Sequence, residues 1–335
     1  MHVTLERLIG KASKVNIYSP WGVLLLPRQT KITKDHIDKL MKHEIVINPN
    51  DIVEYKPNKY AKIIDETVPK VREVFDEVRE TLHLPLSELQ RDVVPVLTEV
   101  TEGLQITSLF TSLQAKDDYT YRHNIAVGAI SNMIGKWLKL DEADLLNLSI
   151  AGLLHDVGKM KIPEEILNKP GRLTDEEFEQ MKKHTIYGYD IIKQTSGTNK
   201  VHALVALQHH ERLDGTGYPY GLKKDDIHYF SRIVAVADIF HAMTSKRVYR
   251  DASPFYEVLY QMNNDTFGAL DPEITTVFIE RIMASLTGSE VLFTNGQVGT
   301  IIMIHQNDPL HPVVQIDNRY IDIRQNRSIH IERVV

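Results

Sequence analysis

Histidine and aspartate lie side by side at the end of an apolar run in this sequence. His155 and Asp156 directly follow residues 145–154, most of which are apolar. A carboxylate in such surroundings costs several kcal/mol to desolvate unless a cation or a hydrogen-bond donor meets it. Residues of the same types lie elsewhere in the chain, namely His123, His184, His209, His210 and Asp238. Imidazole and carboxylate groups bind transition-metal ions, so the set predicts a metal centre.

Asp238 is the most informative single residue of this set. It lies within residues 233–240, where apolar groups cover most of the helix surface. Its charge therefore requires a cation, which is either a metal ion or the side chain of Lys159 or Arg247, the nearest candidates in sequence.

The adjacent His-Asp and His-His pairs constrain the fold around such a centre. Neighbouring side chains on a helix point about 100° apart, so both members of a pair reach one centre only in a cleft between several helices. A helical bundle provides a cleft of this kind.

Composition narrows the class of protein. The chain has 335 residues, 42% of them hydrophobic, which is enough for one large domain with smaller additions. It has no cysteine, so histidine and carboxylate are its strong metal ligands and no disulfide or thiolate site can form. A net charge of −6 argues against nucleic acid as a partner. The Met1 end lacks a basic stretch followed by a long apolar run, so we expect a cytoplasmic protein without a membrane span.

The spacing of apolar residues divides the chain into four parts. Residues 1–55 predict a small α/β module and 288–335, with short strands between turn residues, a small β module. Residues 56–111 predict a helical connector, in which apolar residues from Ile64 to Leu82 recur at spacings of four and three. This seam packs either inside the chain or in a homodimer. A second connector helix is expected from Ser87 towards Leu113, with a kink at Pro95. Residues 112–287 read as almost wholly helical, and Phe178 opens one of their apolar stripes.

The candidate ligands resemble the HD-GYP family in order, type and spacing. The likeness covers about residues 112–285 and is carried by His123, the His-Asp-Val-Gly-Lys stretch 155–159, His184, the stretch 209–219 and Asp238. The resemblance implies an HD-type helical bundle. Together with the two small terminal modules expected from the apolar spacing, this predicts a mainly α fold. The resemblance also implies a metal-dependent phosphodiesterase that hydrolyses cyclic di-GMP to pGpG and on to GMP. Two or three metal ions, often iron or manganese, are typical of the family, and zinc, cobalt or nickel suit the same ligands.

Carried across residue by residue, the resemblance implies two metal ions that share Asp156. The first would be held by His123, His155, Asp156 and Asp238, and the second by Asp156, His184, His209 and His210. A hydroxide bridging the ions would attack the phosphorus of the cyclic phosphodiester.

The resemblance also implies residues that contact the substrate. Lys159, expected to be catalytic together with Asp156, would meet a phosphate oxygen, although a lysine there could simply serve the helix dipole. Arg247 and Arg250 would bind phosphate or guanine, or else lie on the surface as solvated charges. Gly217, Tyr218 and Pro219 would shape the cleft or contact a signalling partner such as a diguanylate cyclase. Glu211 would orient a ligand histidine through its other ring nitrogen.

Three positions depart from the family pattern. Tyr119 replaces the glutamate of three-metal members, so we predict two metals, although Asp117 or Asp118 could take the role. His241 replaces an aspartate one turn after Asp238, where an imidazole could tune the metal, replace a hydrogen bond or weaken activity. Val248 replaces a proline.

Two further functions use the same motifs. One is a phosphodiesterase for another cyclic nucleotide, because the sequence determines the reaction centre far better than base selectivity. The other is a catalytically silent sensor that binds cyclic di-GMP and signals through loop 212–222.

Overall fold

The structure is a computed structural model that describes residues 5–15, 17–19, 24–26, 31–55, 59–103, 119–245, 255–265, 268–317, 319–325 and 329–334. The chain forms two compact units. The larger unit contains Lys59–Leu286 and Ile304–Leu310, and the smaller one contains Met1–Asn58, Thr287–Met303 and His311–Val335. The sequence predicts four consecutive parts, whereas the smaller of these two units combines residues from both ends of the chain. The four-part division stays a prediction.

The larger unit is helical. Its helices are α2 (Lys59–Thr81), α3 (Leu86–Asp92), α4 (Val94–Gly103), α5 (Tyr119–Trp137), α6 (Glu142–Leu154), α7 (Glu164–Leu167), α8 (Asp175–Lys182), α9 (His184–Gln194), α10 (Lys200–Gln208), α11 (Tyr229–Thr244), α12 (Phe255–Asp265) and α13 (Pro272–Ser285). Several begin at a polar residue whose side chain accepts a backbone N–H, as Asp141 does for α6, Thr174 for α8 and Asn199 for α10.

Helices α5 and α6 form the centre of this unit and pack closely because glycines lie at their contact. A Cβ atom on Gly152 of α6 would lie 3.0 Å from the Cα of Gly128 on α5. Both helices bury apolar side chains, among them Ile125, Ile130, Leu148 and Leu153. This close pair carries His123 near the start of α5 and leads to His155 at the end of α6.

The seam predicted between Ile64 and Leu82 packs inside the chain. Its members on α2 are fully or almost fully buried, namely Ile64, Val68, Val71, Phe75 and Val78. Leu82 lies beyond the end of α2 and is exposed. The homodimer interpretation of this seam therefore loses its support, since the apolar side chains are already covered.

The second connector helix differs from the prediction. It forms two helices, α3 and α4, separated at Val93, and residues 104–118 lie outside the described part of the chain. The interruption lies two residues before Pro95, which cannot donate the backbone N–H that a continuous helix would use.

The smaller unit contains helix α1 (Lys34–Lys42) and short strands. Strands β1 (Lys11–Ser13) and β4 (Ile52–Glu54) pair antiparallel, as do β2 (Ile17–Tyr18) and β3 (Leu24–Leu26). Leu8, Leu26, Ile37 and Leu40 contribute to their apolar core.

The C-terminal strands form one sheet. They are β5 (Glu290–Phe293), β6 (Val298–His305), β7 (Asp308–Ile316), β8 (Arg319–Asp322) and β9 (Ile331–Val334), in the order β8-β7-β6-β5-β9. The predicted mainly α fold with a small N-terminal α/β part and a small C-terminal β part is confirmed. None of the helices in the described ranges combines the length and the apolarity that crossing a membrane would require.

Candidate metal centre

The structure brings all seven predicted ligand side chains into one cleft of the larger unit. Three sets of their ligand atoms lie within 4.8 Å of one another: Asp156, His184, His209 and His210; His123, His155 and Asp156; and His155, His209 and Asp238. Apart from His210, which is partly exposed, all of them are buried. The cleft is formed by α5, α9, α11 and the C-terminal ends of α6 and α10.

The adjacent pairs share this cleft because the helices end where the pairs lie. Helix α6 ends at Leu154, and the backbone turns at Asp156 (φ −101°, ψ 7°) into a 3₁₀ turn at Val157–Lys161. Helix α10 likewise ends at Gln208, immediately before His209 and His210. A continuous helix would point each pair about 100° apart, so these terminations allow both members to face the same cleft.

Asp156 lies at the middle of the cluster and uses its two oxygens on different sides. Its Oδ2 lies 3.4 Å from Nε2 of His155 and 3.8 Å from Nε2 of His123. Its Oδ1 lies 3.3 Å from Nε2 of His184 and 3.7 Å from Nε2 of His209. One carboxylate therefore faces two separate pairs of imidazoles.

Asp238 joins the cluster through both of its oxygens as well. Its Oδ1 lies 3.1 Å from Nε2 of His123 and 4.0 Å from Nε2 of His155, and its Oδ2 lies 3.9 Å from Nδ1 of His210. Of the two cations proposed as salt-bridge partners, Lys159 pairs with Asp156 instead. Arg247 lies outside the described residues, as do Asp117, Asp118, Val248 and Arg250.

Backbone carbonyl groups orient three of the histidine rings. Nδ1 of His155 lies 2.7 Å from the carbonyl oxygen of Gly152, and Nδ1 of His184 lies 2.8 Å from that of Met181. Nδ1 of His209 lies 3.0 Å from the carbonyl oxygen of Ala206. Each Nδ1 therefore carries the proton and donates, and each Nε2 presents a lone pair to the centre of the cleft.

The protonation states also suit a metal ion. Burial lowers the pKa of His184 to about 4 and holds the pKa values of His209 and His210 well below their ordinary range, so these rings are neutral. Burial alone would raise the pKa of Asp156, but the Lys159 ammonium and the His155 ring outweigh it and hold the pKa well below its usual range. Neutral imidazoles and ionised carboxylates are the forms that bind metal.

Two atoms of the cluster indicate that something is needed at its centre. Nε2 of His155 and Oδ1 of Asp156 are buried and have no hydrogen-bond partner. A buried polar atom of this kind is costly unless a cation or donor meets it. Burial lowers the pKa of His155, yet the Asp156 and Asp238 carboxylates raise it above its ordinary value overall, so the centre attracts positive charge. The residues present therefore fit a divalent metal ion.

Lys159 reaches the same centre from the 3₁₀ turn that follows Asp156. Its ammonium lies 2.5 Å from Oδ2 of Asp156, and about a quarter of its side chain is exposed. The predicted proximity of Lys159 to the reaction centre is thus present in the geometry, and a role confined to the helix dipole does not account for this contact.

Glu211 differs from the expectation. Its buried carboxylate accepts hydrogen bonds from the backbone N–H groups of Tyr220 (2.8 Å) and Leu222 (2.9 Å), and not from a histidine ring. In the nearby histidine His209, backbone carbonyl groups accept from Nδ1. Glu211 therefore holds loop 212–222 against the end of α10.

The loop places an aromatic ring directly on the cluster. The ring of Tyr218 stacks on that of His210, with centroids 4.6 Å apart and planes inclined by 29°. The bond between Tyr218 and Pro219 is cis. Gly217 permits the close passage of the chain, because a Cβ there would lie 2.4 Å from Cα of Glu211.

Sequence reasoning missed two residues at the rim of the cleft. Phe178 on α8 is 46% exposed and packs edge-to-face against Tyr218, with ring centroids 6.2 Å apart. The ammonium of Lys182 lies 5.4 Å from the centroid of Phe178 and 5.9 Å from that of Tyr218. In the sequence Phe178 begins an apolar stripe, which predicts burial, and no local pattern distinguishes an exposed rim aromatic from a core residue.

Two departures from the family pattern lie against His123. The ring of Tyr119 stacks on it, with centroids 5.5 Å apart and an interplanar angle of 16°. His241 approaches it from α11, with the two Nδ1 atoms 2.9 Å apart. The Nε2 of His241 lies 3.1 Å from Oγ of Ser245.

Helix α2 supports His123 from outside the cleft. The guanidinium of Arg122, which is buried, forms an ion pair with Asp65 of α2. The next residue back, Tyr121, donates a hydrogen bond of 3.2 Å to Asp76, also on α2. Both residues immediately before His123 are therefore held by the same helix.

A helical bundle with a cleft of histidines and aspartates able to hold metal ions defines the class of this protein. The profile of the HD domain family matches residues 107–274, and the chain belongs to that family. Among solved structures, an HD-G"Y"P protein of Bdellovibrio bacteriovorus, Bd1817, matches with a TM-score of 0.53 at 15% identity, covering 81% of this chain and 93% of that one. This likeness confirms the HD-type fold predicted from the motifs.

Curated relatives belong to one group of enzymes. The cyclic di-GMP phosphodiesterase PA4108 of Pseudomonas aeruginosa is 35% identical over 61% of this chain and 49% of its own length. The cyclic di-GMP phosphodiesterase of Thermotoga maritima is 40% identical over 55% of this chain and 49% of its own length. The 3'3'-cGAMP-specific phosphodiesterase 3 of Vibrio cholerae is 36% identical over 57% of this chain and 39% of its own length. These relatives confirm the predicted resemblance to the HD-GYP branch, although the chain spans about half of their length or less.

Proposed function

We propose that this protein is a metal-dependent phosphodiesterase that hydrolyses cyclic di-GMP to linear pGpG and then to GMP. The observation that carries the proposal is the position of Asp156, whose two oxygens face two separate pairs of imidazoles. A carboxylate in that position can be shared by two cations about 3.5–4 Å apart, the spacing that two-metal phosphodiester hydrolysis uses. The names of the relatives support the substrate class.

We assign the ligands to two ions as the spacing favours. The first ion would be held by His123, His155, Asp156 and Asp238, and the second by Asp156, His184, His209 and His210. Iron or manganese is our first expectation, and zinc, cobalt or nickel would suit the same nitrogen and oxygen donors.

The ions supply the chemistry of the site when bound, since they lower the pKa of water and neutralise charge on phosphoryl oxygens. The protein orients the side chains that would bind these ions. The carbonyl oxygens of Gly152, Met181 and Ala206 hold three imidazoles with their lone pairs directed inward. Burial keeps the rings of His184 and His209 neutral, and the carboxylates of Asp156 and Asp238 stay ionised at neutral pH.

Lys159 is proposed to bind the reacting phosphate. Its ammonium lies against Asp156 and is partly exposed, so it can contact both the centre and an incoming anion. Lys159 would contact a non-bridging phosphate oxygen of the substrate, and its positive charge would stabilise the negative charge of the transition state. Arg247 and Arg250 remain proposed contacts for phosphate or guanine.

The rim supports a nucleotide as the ligand. Phe178, Tyr218 and Lys182 combine two aromatic rings with a cation beside a cluster suited to phosphate chemistry. An exposed ring of this kind can stack on a nucleobase, because every base has a π face. Gly217, Tyr218 and Pro219 would shape this side of the cleft, and the same loop remains a candidate surface for a signalling protein. A cytoplasmic location is part of the proposal.

A second cyclic dinucleotide is a specific alternative. The Vibrio cholerae relative named for 3'3'-cGAMP is about as similar to this chain as the relatives named for cyclic di-GMP. The two substrates differ in one base, so the metal cluster cannot discriminate between them and the rim must.

The test is turnover of a panel of substrates by the purified chain loaded anaerobically with Fe²⁺ or Mn²⁺. The panel contains cyclic di-GMP, 3'3'-cGAMP, cyclic AMP and cyclic GMP, with products separated by chromatography. We expect pGpG and then GMP from cyclic di-GMP, and no product after a chelator removes the metal. A metal-loaded protein that binds cyclic di-GMP and leaves it intact for hours would refute the proposal and favour a sensor.

A further inference from the structure

His241 and His123 face each other through the same kind of ring atom. Their Nδ1 atoms lie 2.9 Å apart, and both rings are buried. At this distance one nitrogen must carry a hydrogen and the other a lone pair, because two N–H groups or two lone pairs would repel each other. The contact therefore ties the proton position on one ring to that on the other.

The outer nitrogen of each ring has its own partner. Nε2 of His123 lies 3.1 Å from Oδ1 of Asp238 and faces the proposed metal centre. Nε2 of His241 lies 3.1 Å from Oγ of Ser245, whose hydroxyl can either donate or accept. Asp238, His123, His241 and Ser245 thus form a continuous chain of hydrogen-bonding groups on α5, α11 and the residue that ends α11.

The described contacts of this chain fit two arrangements of protons. In the first, Nε2 of His123 donates to Asp238, its Nδ1 accepts from Nδ1 of His241, and the Ser245 hydroxyl donates to Nε2 of His241. In the second, Nδ1 of His123 donates to Nδ1 of His241, and Nε2 of His241 donates to Ser245. Only the second leaves a lone pair on Nε2 of His123, which is what a metal ligand needs.

We propose that His241 is a positioning residue that selects the metal-binding tautomer of His123 by accepting its Nδ1 proton. The inference rests on the proposed metal centre. It adds that the hydrogen bond to His241 governs the metal affinity of the ligand group that contains His123. An imidazole accepts this hydrogen bond without bringing a negative charge, so it orients the ligand less strongly than a carboxylate would. The ion on this side is then bound less tightly than an aspartate at position 241 would allow.

The first test measures Zn²⁺ and Mn²⁺ affinity by competition with a chromophoric chelator in four proteins: wild type, His241→Asn, His241→Leu and His241→Asp. The Asn side chain places an oxygen acceptor near the position of Nδ1, whereas Leu fills similar space without an acceptor. We expect His241→Leu to weaken one of the bound ions about 10–100-fold. We expect His241→Asn to stay close to wild type and His241→Asp to bind more tightly.

The second test reads the tautomers directly. Histidine-specific ¹⁵N labelling of the Zn²⁺-loaded wild type, with His241 assigned from the spectrum of His241→Asn, should show a protonated Nε2 and an unprotonated Nδ1 on His241. The tautomer is read from the wild type, and the variant serves only to assign the signals of His241. Circular dichroism of each variant checks that the helical fold is retained.

Several outcomes would overturn the inference. A His241→Leu protein that binds metal as tightly as wild type, an Asn variant as weak as the Leu variant, or the opposite tautomer on His241 would each do so. A wild-type protein that binds no divalent ion would instead refute the metal centre itself, and this inference with it.

Discussion

The ammonium of Lys159 lies 2.5 Å from Oδ2 of Asp156, the oxygen that also faces His123 and His155. A positive charge thus already sits against the residue we propose as the bridge between two metal ions. We expect Lys159→Met to lower kcat about 100-fold with metal content unchanged, because it removes the charge that we propose stabilises the reacting phosphate and keeps a side chain of similar length. Lys193→Met, on the exposed end of α9, serves as the control. Loss of metal from Lys159→Met, measured by elemental analysis, would mean that the lysine supports the cluster and not the substrate.

Asp156→Asn tests the bridge itself. The amide keeps the shape of the carboxylate but removes the charge shared by both groups of histidines, so we expect loss of both ions and of all turnover. Elemental analysis and a hydrolysis assay measure these, and circular dichroism should be unchanged. Asp190→Asn is the matched control, since Asp190 is exposed on α9. Retention of one full equivalent of metal by Asp156→Asn would contradict a ligand common to both ions.

Gly158 lets the 3₁₀ turn after Asp156 approach α9. A Cβ at this position would lie 1.9 Å from the carbonyl oxygen of His184 and 2.4 Å from the backbone N of Gly188. Backbone atoms cannot yield as a flexible side chain does, so we expect Gly158→Ala to lower the free energy of unfolding by about 3 kcal/mol or more. Gly188→Ala, whose Cβ would meet the Ala206 Cβ at 3.2 Å, should cost about 1 kcal/mol or less. Urea unfolding compares the two, and equal losses would contradict this account.

We expect His202, which lies outside the group of proposed metal ligands, to make the stability of the fold sensitive to acid. It accepts from the backbone N–H of Asn199 and lies 3.1 Å from Oδ1 of Asn147 on α6, and burial lowers its pKa from 6.5 to about 4. Between pH 6.5 and about 4, the ring is therefore neutral in the folded protein and protonated in the unfolded chain. The resulting stability is complete above pH 6.5 and is lost as the pH falls towards 4.

The comparison that isolates this effect is wild type against His202→Gln in urea unfolding at pH 7, 6, 5 and 4. Glutamine can make similar hydrogen bonds but does not titrate. We expect the free energy of unfolding of wild type to fall by up to about 3 kcal/mol more than that of the variant over this range. Parallel pH curves for the two proteins would show that His202 titrates alike in the folded and unfolded states.

Phe178 tests the nucleotide rim. Removing an aromatic ring that stacks on a base costs about 1–3 kcal/mol of binding, so we expect Phe178→Ala to raise KM for the cyclic dinucleotide at least about fivefold. The value of kcat and the metal content should stay close to wild type, because the ring is separated from His210 by Tyr218. Phe178→Tyr should restore KM. An unchanged KM in the alanine variant would remove Phe178 from the substrate site.

The convergence of the seven histidines and aspartates was predictable from the sequence for two reasons. Asp238 within an apolar helix and the adjacent His-Asp and His-His pairs each require a polar neighbour, and the order and spacing of the whole set resemble the HD-GYP family. The division of these side chains between two metal ions stays a prediction. The helical nature of the larger unit and the strands after Gly288 were predictable from apolar spacing.

Other features depend on packing that sequence does not encode locally. Because Glu211 is adjacent to His210 in the sequence, a contact with a histidine ring was expected. In the structure its carboxylate instead accepts hydrogen bonds from two backbone N–H groups of loop 212–222. Pro95 indicated a disturbance of the second connector helix, but not that one helix would end at Asp92 and another begin at Val94. The exposure of Phe178 depends on where α8 lies relative to Tyr218, which a helical period cannot reveal.

The ion pair between Asp65 and Arg122 connects α2 to the segment that carries His123. Asp65 precedes the segment matched by the family profile, which begins at residue 107, yet its partner is adjacent to His123. A fragment trimmed to the family boundaries would lack α2, and with it the carboxylate that pairs with the guanidinium beside His123. We therefore expect a fragment that begins at residue 107 to be less stable than one that begins at Lys59, which retains α2.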